Sequence, residues 1–196
     1  MRWSLGTLAA LVVALAIYLG SAAASLSSLA AAARAGDGAK VLEHTDVKAL
    51  NRSLTNQILA AYFERIGATR RISPAEKMLI NTYGASIADA MVAKMLTADR
   101  LTQMLKTGNL DGTAGLPSFA GLPALANLQT GDWLSLLGRI NLVQPVLLGI
   151  RVSETADAEN YAAINLHFEG TGWKLSGIEL PKAVVRTLAA SLPVRT

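Results

Sequence analysis

The residues best suited to chemistry form a small acidic group around a histidine. Asp37, Glu43 and Asp46 lie close together in the sequence, with His44 between the last two. Carboxylate and imidazole groups bind divalent cations, so this group is one candidate metal site. The two aspartates also precede apolar residues at helical spacing, where an aspartate side chain caps the helix. We predict that Asp37 and Asp46 are helix caps and that the chain holds no metal.

The sequence contains no motif that is typical of nucleophilic catalysis or of phosphate binding. A Ser-His-Asp arrangement would need His44 or His167 beside a serine on a sharp turn, but the sequence has no Gly-x-Ser-x-Gly motif. It also has no Walker loop, Gly-x-Gly-x-x-Gly fingerprint or His-Glu-x-x-His motif. The lack of cysteine excludes thiolate nucleophiles, disulfides and thiolate zinc sites. We therefore predict no catalytic residue, no cofactor and no enzymatic activity, and an enzyme with an unrecognised site is the least favoured alternative.

The composition limits the class of protein. The chain has 196 residues, of which 52% are hydrophobic and 16% charged, with a mean hydropathy of +0.36. It is too apolar for a disordered protein and low in charge for a freely soluble one. The net charge of +4 is modest, and the one adjacent basic pair, Arg70-Arg71, has no aromatic residues interleaved with it. We predict that the protein does not bind nucleic acid.

The element that must position any site is the apolar N-terminus. Arg2 precedes a long uncharged stretch. A helix over residues 3–24 would be about 33 Å long, enough to cross a hydrocarbon core of about 30 Å. Trp3 and Tyr18 lie near the two ends of its most apolar part, where amphipathic rings prefer to lie. The segment 1–24 is therefore predicted to be a transmembrane anchor with the Arg2 end in the cytoplasm.

A secretory signal peptide is the alternative for the same segment. A short basic start, a hydrophobic run of about 15 residues and small residues at Ala22 and Ala24 fit it almost as well. Cleavage after about Ala24 would release an exported soluble module. The alanines at 22–24 and 30–33 favour an uninterrupted helix, so the retained anchor is preferred. A buried helix of a soluble domain is less favoured, because no polar face is visible over the first 20 residues.

Residues 25–110 are predicted to be helical. Capping and stop signals set the expected boundaries at Gly36, Asp37, Asp46, Gly67, Ser73, Thr97 and Gly108. Apolar residues at helical spacing are expected to be buried, including the stripe formed by Leu79, Tyr83, Ile87 and Met91.

Residues 139–196 are predicted to form strands and a last helix. The strand runs are 139–152, bent at Pro145, then 161–168 and 173–180, and a helix follows from Lys182 to Ala190. In the third run the alternation of apolar residues changes phase at Gly177, which predicts a bulge there and a Trp173 side chain packed on the helical layer. Residues 25–196 are thus expected to form one α+β domain, a helical layer followed by a three-stranded antiparallel sheet.

Between these parts, residues 111–138 form a segment that we call the apolar loop. Its glycines and prolines prevent a regular helix or strand, yet it carries many large apolar side chains. One interpretation is that the loop packs back onto the helices. The other is that it is a contact surface for a partner or a lipid headgroup layer, with Phe119, Leu122, Leu125 and Trp133 as its contact residues.

Three segments resemble a known family. They are Ala33-Arg34-Ala35-Gly36-Asp37, then Asp46-Val47-Lys48-Ala49-Leu50, and finally Trp173-Lys174-Leu175-Ser176-Gly177-Ile178-Glu179-Leu180-Pro181. With the apolar N-terminal helix, they resemble the bacterial domain of unknown function 2939 over about residues 20–182. Asn51 departs from the pattern, since an arginine usually follows the leucine. The resemblance implies a membrane-anchored or exported bacterial protein with no assigned activity.

Together these features predict a non-catalytic, single-span protein of the bacterial inner membrane, with a cytoplasmic N-terminus and a periplasmic domain. Its expected partners are the lipid bilayer, through the N-terminal helix, and a membrane protein that it serves as an accessory subunit. The alternative is an exported soluble module that binds a small ligand after signal-peptide cleavage.

Overall fold

The structure is a computed structural model that describes residues 2–112, 125, 139–144, 146–153, 157 and 159–192. The helices are α1 (Arg2–Ala35), α2 (Gly38–Glu43), α3 (Val47–Thr69), α4 (Pro74–Leu79), a π-helical turn (Ile80–Gly84), α5 (Ala85–Met95), α6 (Ala98–Thr107) and α7 (Lys182–Ala190). The strands are β1 (Ile140–Gln144), β2 (Leu147–Arg151), β3 (Ala163–Phe168) and β4 (Trp173–Glu179). The predicted α+β class, with a long apolar helix first, is confirmed.

Most helix boundaries follow the capping signals. The Asp37 carboxylate accepts a hydrogen bond from the Lys40 backbone amide at 3.1 Å, and the Asp46 carboxylate accepts one from the Ala49 backbone amide at 3.0 Å. Gly36 ends α1 in the left-handed conformation, at φ 74°, which glycine adopts without strain. The stop expected at Gly67 is wrong, because α3 continues to Thr69 and ends where the chain becomes extended.

The predicted stripe along α4 and α5 is not buried as a whole. A π-helical turn over Ile80–Gly84 separates the two helices, and its wider turn shifts the phase of the residues that follow. The buried face of α5 is Ala88, Val92 and Met95. Tyr83 is therefore 63% exposed, and Ile87 is exposed beside it. The interpretation of Tyr83 and Ile87 as core residues is wrong.

The sheet is antiparallel throughout, with its strands in chain order. The run predicted as one strand over 139–152 forms two paired strands, β1 and β2, so the sheet has four strands. Pro145, the expected bend, lies outside the described residues. The predicted bulge is confirmed, because Gly177 pairs with Asn165 while Leu175 pairs with Leu166, which leaves Ser176 without an opposite residue.

The free edge of β4 is covered by the helical layer. The Asp46 amide donates to the Leu175 carbonyl at 2.8 Å, and the Leu175 amide donates to the His44 carbonyl at 2.9 Å. Further along, the Gln57 amide group of α3 bonds to both the Ile178 carbonyl, at 2.7 Å, and the Leu180 amide, at 3.0 Å. These bonds satisfy an edge that would otherwise pair with another chain. They also fix α3 alongside β4, with its N-terminus near the start of the strand.

Candidate membrane anchor and contact sites

Helix α1 has an exposed apolar half. Its large side chains over residues 8–17 are each more than half exposed, namely Leu8, Leu11, Val12, Val13, Leu15 and Ile17. Exposing so many neighbouring apolar side chains to water is costly, at about 25 cal/mol per Å² of apolar surface. In the part of the chain that the structure describes, α1 is the one helix long and apolar enough to cross a membrane. A signal sequence near the N-terminus has the same length and composition.

The second half of the same helix belongs to the core of the domain. Leu26, Leu29, Ala30 and Ala33 recur at helical spacing and are buried. Helix α1 packs against α2, α6 and β4 through this half. The helix is unbroken through residue 24, so no helix boundary separates the exposed part from the buried part.

The two halves meet at a group of side chains that we call the anchor junction, formed by Tyr18, Ser21, Phe168 and Trp173. The Trp173 indole N–H donates to the Ser21 hydroxyl at 2.9 Å. The Tyr18 ring meets the Trp173 ring edge-on, with centroids 4.9 Å apart, and the Phe168 ring lies 5.4 Å from it on the sheet. Such aromatic pairs contribute about 0.5–1.5 kcal/mol beyond their buried area.

Trp173 packs on the helical layer, as predicted, and is 2% exposed. Its specific partners on α1 were missed by sequence reasoning. An indole N–H that is buried needs an acceptor, and the serine at position 21 of an otherwise apolar helix is a signal that could have identified it.

The acidic group near His44 does not form a metal site in the structure. Asp37 and Asp46 cap α2 and α3, as expected, and Glu43 is an exposed residue at the end of α2. His44 caps the end of α2 and offers its backbone carbonyl to β4. No group of three metal-binding side chains occurs in the part of the chain that the structure describes.

The basic pair Arg70-Arg71 is partly neutralised. The Arg70 guanidinium pairs with the Glu76 carboxylate through two hydrogen bonds, one of them from Nη1 to Oε2 at 2.9 Å. This pairing lowers the pKa of the Glu76 carboxyl group and raises the pKa of Arg70. Arg70 is thus paired within the chain.

Of the four predicted contact residues, the structure describes one. Leu125 is 2% exposed and lines a cavity of about 20 Å³ together with Met104 and Ile164. That volume is about the size needed for one water molecule, so the cavity is too small for a ligand. Leu125 is thus core rather than contact surface, as the packing interpretation expected for it. Phe119, Leu122 and Trp133 lie outside the described residues.

Exposed apolar side chains do occur elsewhere on the domain. Met78, Tyr83 and Ile87 are exposed along α4, the π-helical turn and α5. We call these three residues the α4–α5 patch. Sequence reasoning missed it because a spacing of four residues predicts that Tyr83 and Ile87 lie on one buried face of a regular helix. The π-helical turn changes the phase of the helix, and both side chains are exposed.

Comparison with known proteins agrees with the resemblance seen in the sequence. The family model described as Protein of unknown function (DUF2939) matches residues 11–104. The match includes most of α1 and the helices up to α6, whereas the motif at 173–181 lies outside it. No curated protein and no solved structure shows significant similarity to the chain. The similarity to this family of proteins of unknown function therefore covers 94 of the 196 residues of the chain.

Proposed function

We propose that this protein is a single-span protein of the bacterial inner membrane whose periplasmic domain binds a membrane protein as a non-catalytic accessory subunit. The observation that carries the anchor is the change of environment within one unbroken helix. Residues 8–17 of α1 expose large apolar side chains, and residues 22–33 of the same helix are packed into the domain. A bilayer covers the first part at no cost to the second.

The anchor junction favours a retained anchor over a cleaved signal peptide. Cleavage after Ala24 would cut α1 inside its folded length and would remove Tyr18 and Ser21. The buried Trp173 indole would then lose its hydrogen-bond acceptor and its edge-on ring. Losing a hydrogen bond and an aromatic contact costs about 0.5–1.5 kcal/mol each. A segment whose loss damages the domain is better explained as a permanent part of it.

The length of α1 also supports a domain that lies close to the membrane. From Arg2 to Leu19 the helix is about 27 Å long, nearly the thickness of the hydrocarbon core. Tyr18 and Leu19 already contact the domain core. The span therefore ends where the domain begins, several residues before the end predicted at residue 24. The positive charge of Arg2 before the span supports a cytoplasmic N-terminus by the positive-inside rule.

Topology can be tested cleanly because the chain has no native cysteine. A Thr171→Cys variant places a thiol in the exposed turn between β3 and β4. In intact cells whose outer membrane has been made permeable, a maleimide that cannot cross the inner membrane is expected to label this thiol fully. The native chain is the unlabelled control.

The same samples test whether the anchor is retained. The protein is expected in the membrane pellet after carbonate extraction, with a mass that includes residues 3–24. Release into the supernatant with an N-terminus near Ser25 would instead establish the exported soluble module. Labelling of Thr171→Cys only after lysis would place the domain in the cytoplasm and overturn the topology.

Partner binding is supported by the α4–α5 patch. Grouped exposed apolar side chains on a folded domain mark contact surfaces more often than isolated ones do. The anchor holds this patch on a domain next to the bilayer, where membrane proteins are the nearest partners. Phe119, Leu122 and Trp133 of the apolar loop remain proposed contact residues beside it.

We expect Tyr83→Asp to abolish co-purification of the partner from gently solubilised membranes while the domain stays folded. A carboxylate in a desolvated apolar contact costs several kcal/mol, whereas at an exposed position it changes stability by less than about 0.5 kcal/mol. Asn81→Asp, an exposed position in the same π-helical turn, is the control and is expected to keep the partner. Equal recovery of the same companion protein with both variants would exclude the patch as its contact surface.

A further inference from the structure

A polar cleft lies between α3 and α5. On α3, residues at positions i, i+3, i+4 and i+7 share one face of the helix. The cleft has a volume of about 480 Å³ and is lined by Lys48, Asn51, Arg52, Thr55, Ala85, Ser86 and Asp89. This volume lies within the range of about 300–1,000 Å³ that small-ligand sites have.

The two cationic side chains of the cleft make no ion pair in the described part of the chain. Lys48 and Arg52 are exposed, and neither makes an ion pair with any other residue that the structure describes. Asp89 accepts a hydrogen bond from the Asn51 side-chain amide at 2.7 Å. Two cationic groups and one carboxylate leave the cleft with a net charge of +1.

Thr55 is the residue that sets this cleft apart from an ordinary surface groove. It is only 6% exposed, and its hydroxyl has no hydrogen-bond partner in the described part of the chain. Other threonines in helical segments donate to the carbonyl four residues earlier, namely Thr82, Thr102, Thr107 and Thr187. The Thr55 hydroxyl does not make this bond. Burying a hydroxyl without a partner costs free energy, which a bound polar group would recover.

Asn51 adds a second unused polar atom one turn away. Its amide nitrogen donates to Asp89, while its side-chain oxygen is buried and has no partner among the described residues. The cleft therefore offers cationic groups for an anion and a carboxylate that can accept hydrogen bonds. The buried amide oxygen of Asn51 and the buried hydroxyl of Thr55 can accept as well once a side-chain rotation brings them to the surface of the cleft. A ligand that uses all of them carries both a negative charge and O–H donors.

From these groups we propose that the cleft binds a monoanionic phosphodiester that carries hydroxyl groups. Its single negative charge balances the net charge of the cleft. A zwitterion has no net charge and would leave the positive charge of the cleft unbalanced. The negative charge of a phosphomonoester would be larger than the positive charge of the cleft. The arginine fork and the lysine ammonium bind the phosphate oxygens, while Asp89, Asn51 and Thr55 receive the hydroxyl groups.

Two sources supply this chemistry, namely the headgroup of phosphatidylglycerol in the bilayer and a free glycerophosphodiester. The lipid source rests on the proposed membrane anchor, whereas the free source does not. The position of α3 favours the lipid. Its N-terminus is hydrogen-bonded to Leu175, which is about 7 Å along β4 from Trp173 at the anchor junction.

The test uses the full chain in phosphatidylcholine nanodiscs, titrated by calorimetry with glycerophosphoglycerol, the deacylated headgroup. Glycerophosphocholine, a zwitterion, is the control ligand. We expect Arg52→Gln and Thr55→Val each to weaken binding of glycerophosphoglycerol at least tenfold. Thr55→Val keeps the shape of the side chain and removes an unpartnered hydroxyl, so its melting temperature is expected to stay at or above that of the native chain. Lys94→Gln removes an exposed cation on α5 outside the cleft and is expected to bind as the native chain does.

A second arm identifies the source. Native mass spectrometry is carried out on protein from nanodiscs that contain phosphatidylglycerol and phosphatidylcholine in equal amounts. If the native chain retains phosphatidylglycerol and the Arg52→Gln and Thr55→Val variants do not, the ligand of the cleft is the lipid. Binding of glycerophosphoglycerol without such retention assigns it to a free molecule. If neither ligand binds, or if Lys94→Gln weakens binding as much as Arg52→Gln, the proposal is overturned. Carbonate extraction decides the anchor independently of both results.

Discussion

Replacing Trp173 by alanine is expected to lower the free energy of unfolding by about 3–5 kcal/mol, the usual cost of removing a core aromatic side chain. The side chain is almost fully buried at the point where the sheet meets α1. Its loss leaves a cavity between the Tyr18 and Phe168 rings and frees the Ser21 hydroxyl from its donor. The measurement is urea unfolding of the purified full chain in mild detergent, followed by far-ultraviolet circular dichroism.

Two further variants separate the contributions of the ring and of the hydrogen bond. Trp173→Phe keeps an aromatic ring but removes the indole N–H, and Ser21→Ala removes its acceptor. Both variants break the same hydrogen bond, between Trp173 and Ser21. The double variant is therefore expected to lose less stability than the sum of the two single losses. Tyr83→Ala is the matched control, because it removes an exposed ring and is expected to change stability by less than about 0.5 kcal/mol. A Trp173→Ala protein that melts within a degree or two of the native chain would show that Trp173 is not a core residue.

Local sequence signals predicted much of the fold because they depend on neighbouring residues only. Asp37, Asp46 and Ser73 cap the helices that follow them, through hydrogen bonds that span three residues. Helix α7 has the predicted bounds, and the change of phase at Gly177 produces the expected bulge. The packing is also tight there, because a Cβ at position 177 would lie 3.1 Å from the Ser53 hydroxyl of α3, which would have to move slightly.

The features that sequence reasoning missed depend on groups that are distant in the chain or on the phase of a helix. The five residues of the π-helical turn rotate Tyr83 and Ile87 out of the core, and a stripe with a spacing of four contains no sign of it. Similarly, the cleft near Thr55 forms only when α5 packs beside α3. Asn51 and Asp89, which meet across it, are 38 positions apart in the sequence.

The candidate contact site shows the same limit. The amount of apolar surface in the loop 111–138 could be read from the sequence, but the burial of each residue could not. Leu125 is covered by Met104 and Ile164, which come from α6 and β3. Its burial depends on the packing of elements that are distant in the chain.

The last prediction compares two shortened chains that differ by seven residues of α1. A chain that begins at Tyr18 lacks the exposed apolar half and keeps the anchor junction. It is expected in the supernatant after carbonate extraction, with a stability within about 1 kcal/mol of the full chain, because solvent-exposed residues contribute little to the fold. A chain that begins at Ser25, as signal-peptide cleavage would produce, is expected to lose about 2–4 kcal/mol. That loss combines the Ser21 hydrogen bond, the Tyr18 ring contact and the burial of Ala22.

Thermal unfolding of the two shortened chains in the same buffer, without detergent, measures this difference directly. The chain from Ser25 with Trp173→Phe serves as the control, since the indole N–H has no protein acceptor left there and its removal is expected to cost less stability than the same substitution in the chain from Tyr18. Equal melting temperatures for the two shortened chains would mean that Tyr18, Ser21 and Ala22 contribute nothing to the domain. The structural argument against cleavage would then fail, even if the full chain remains in the membrane, because the junction alone carries that argument.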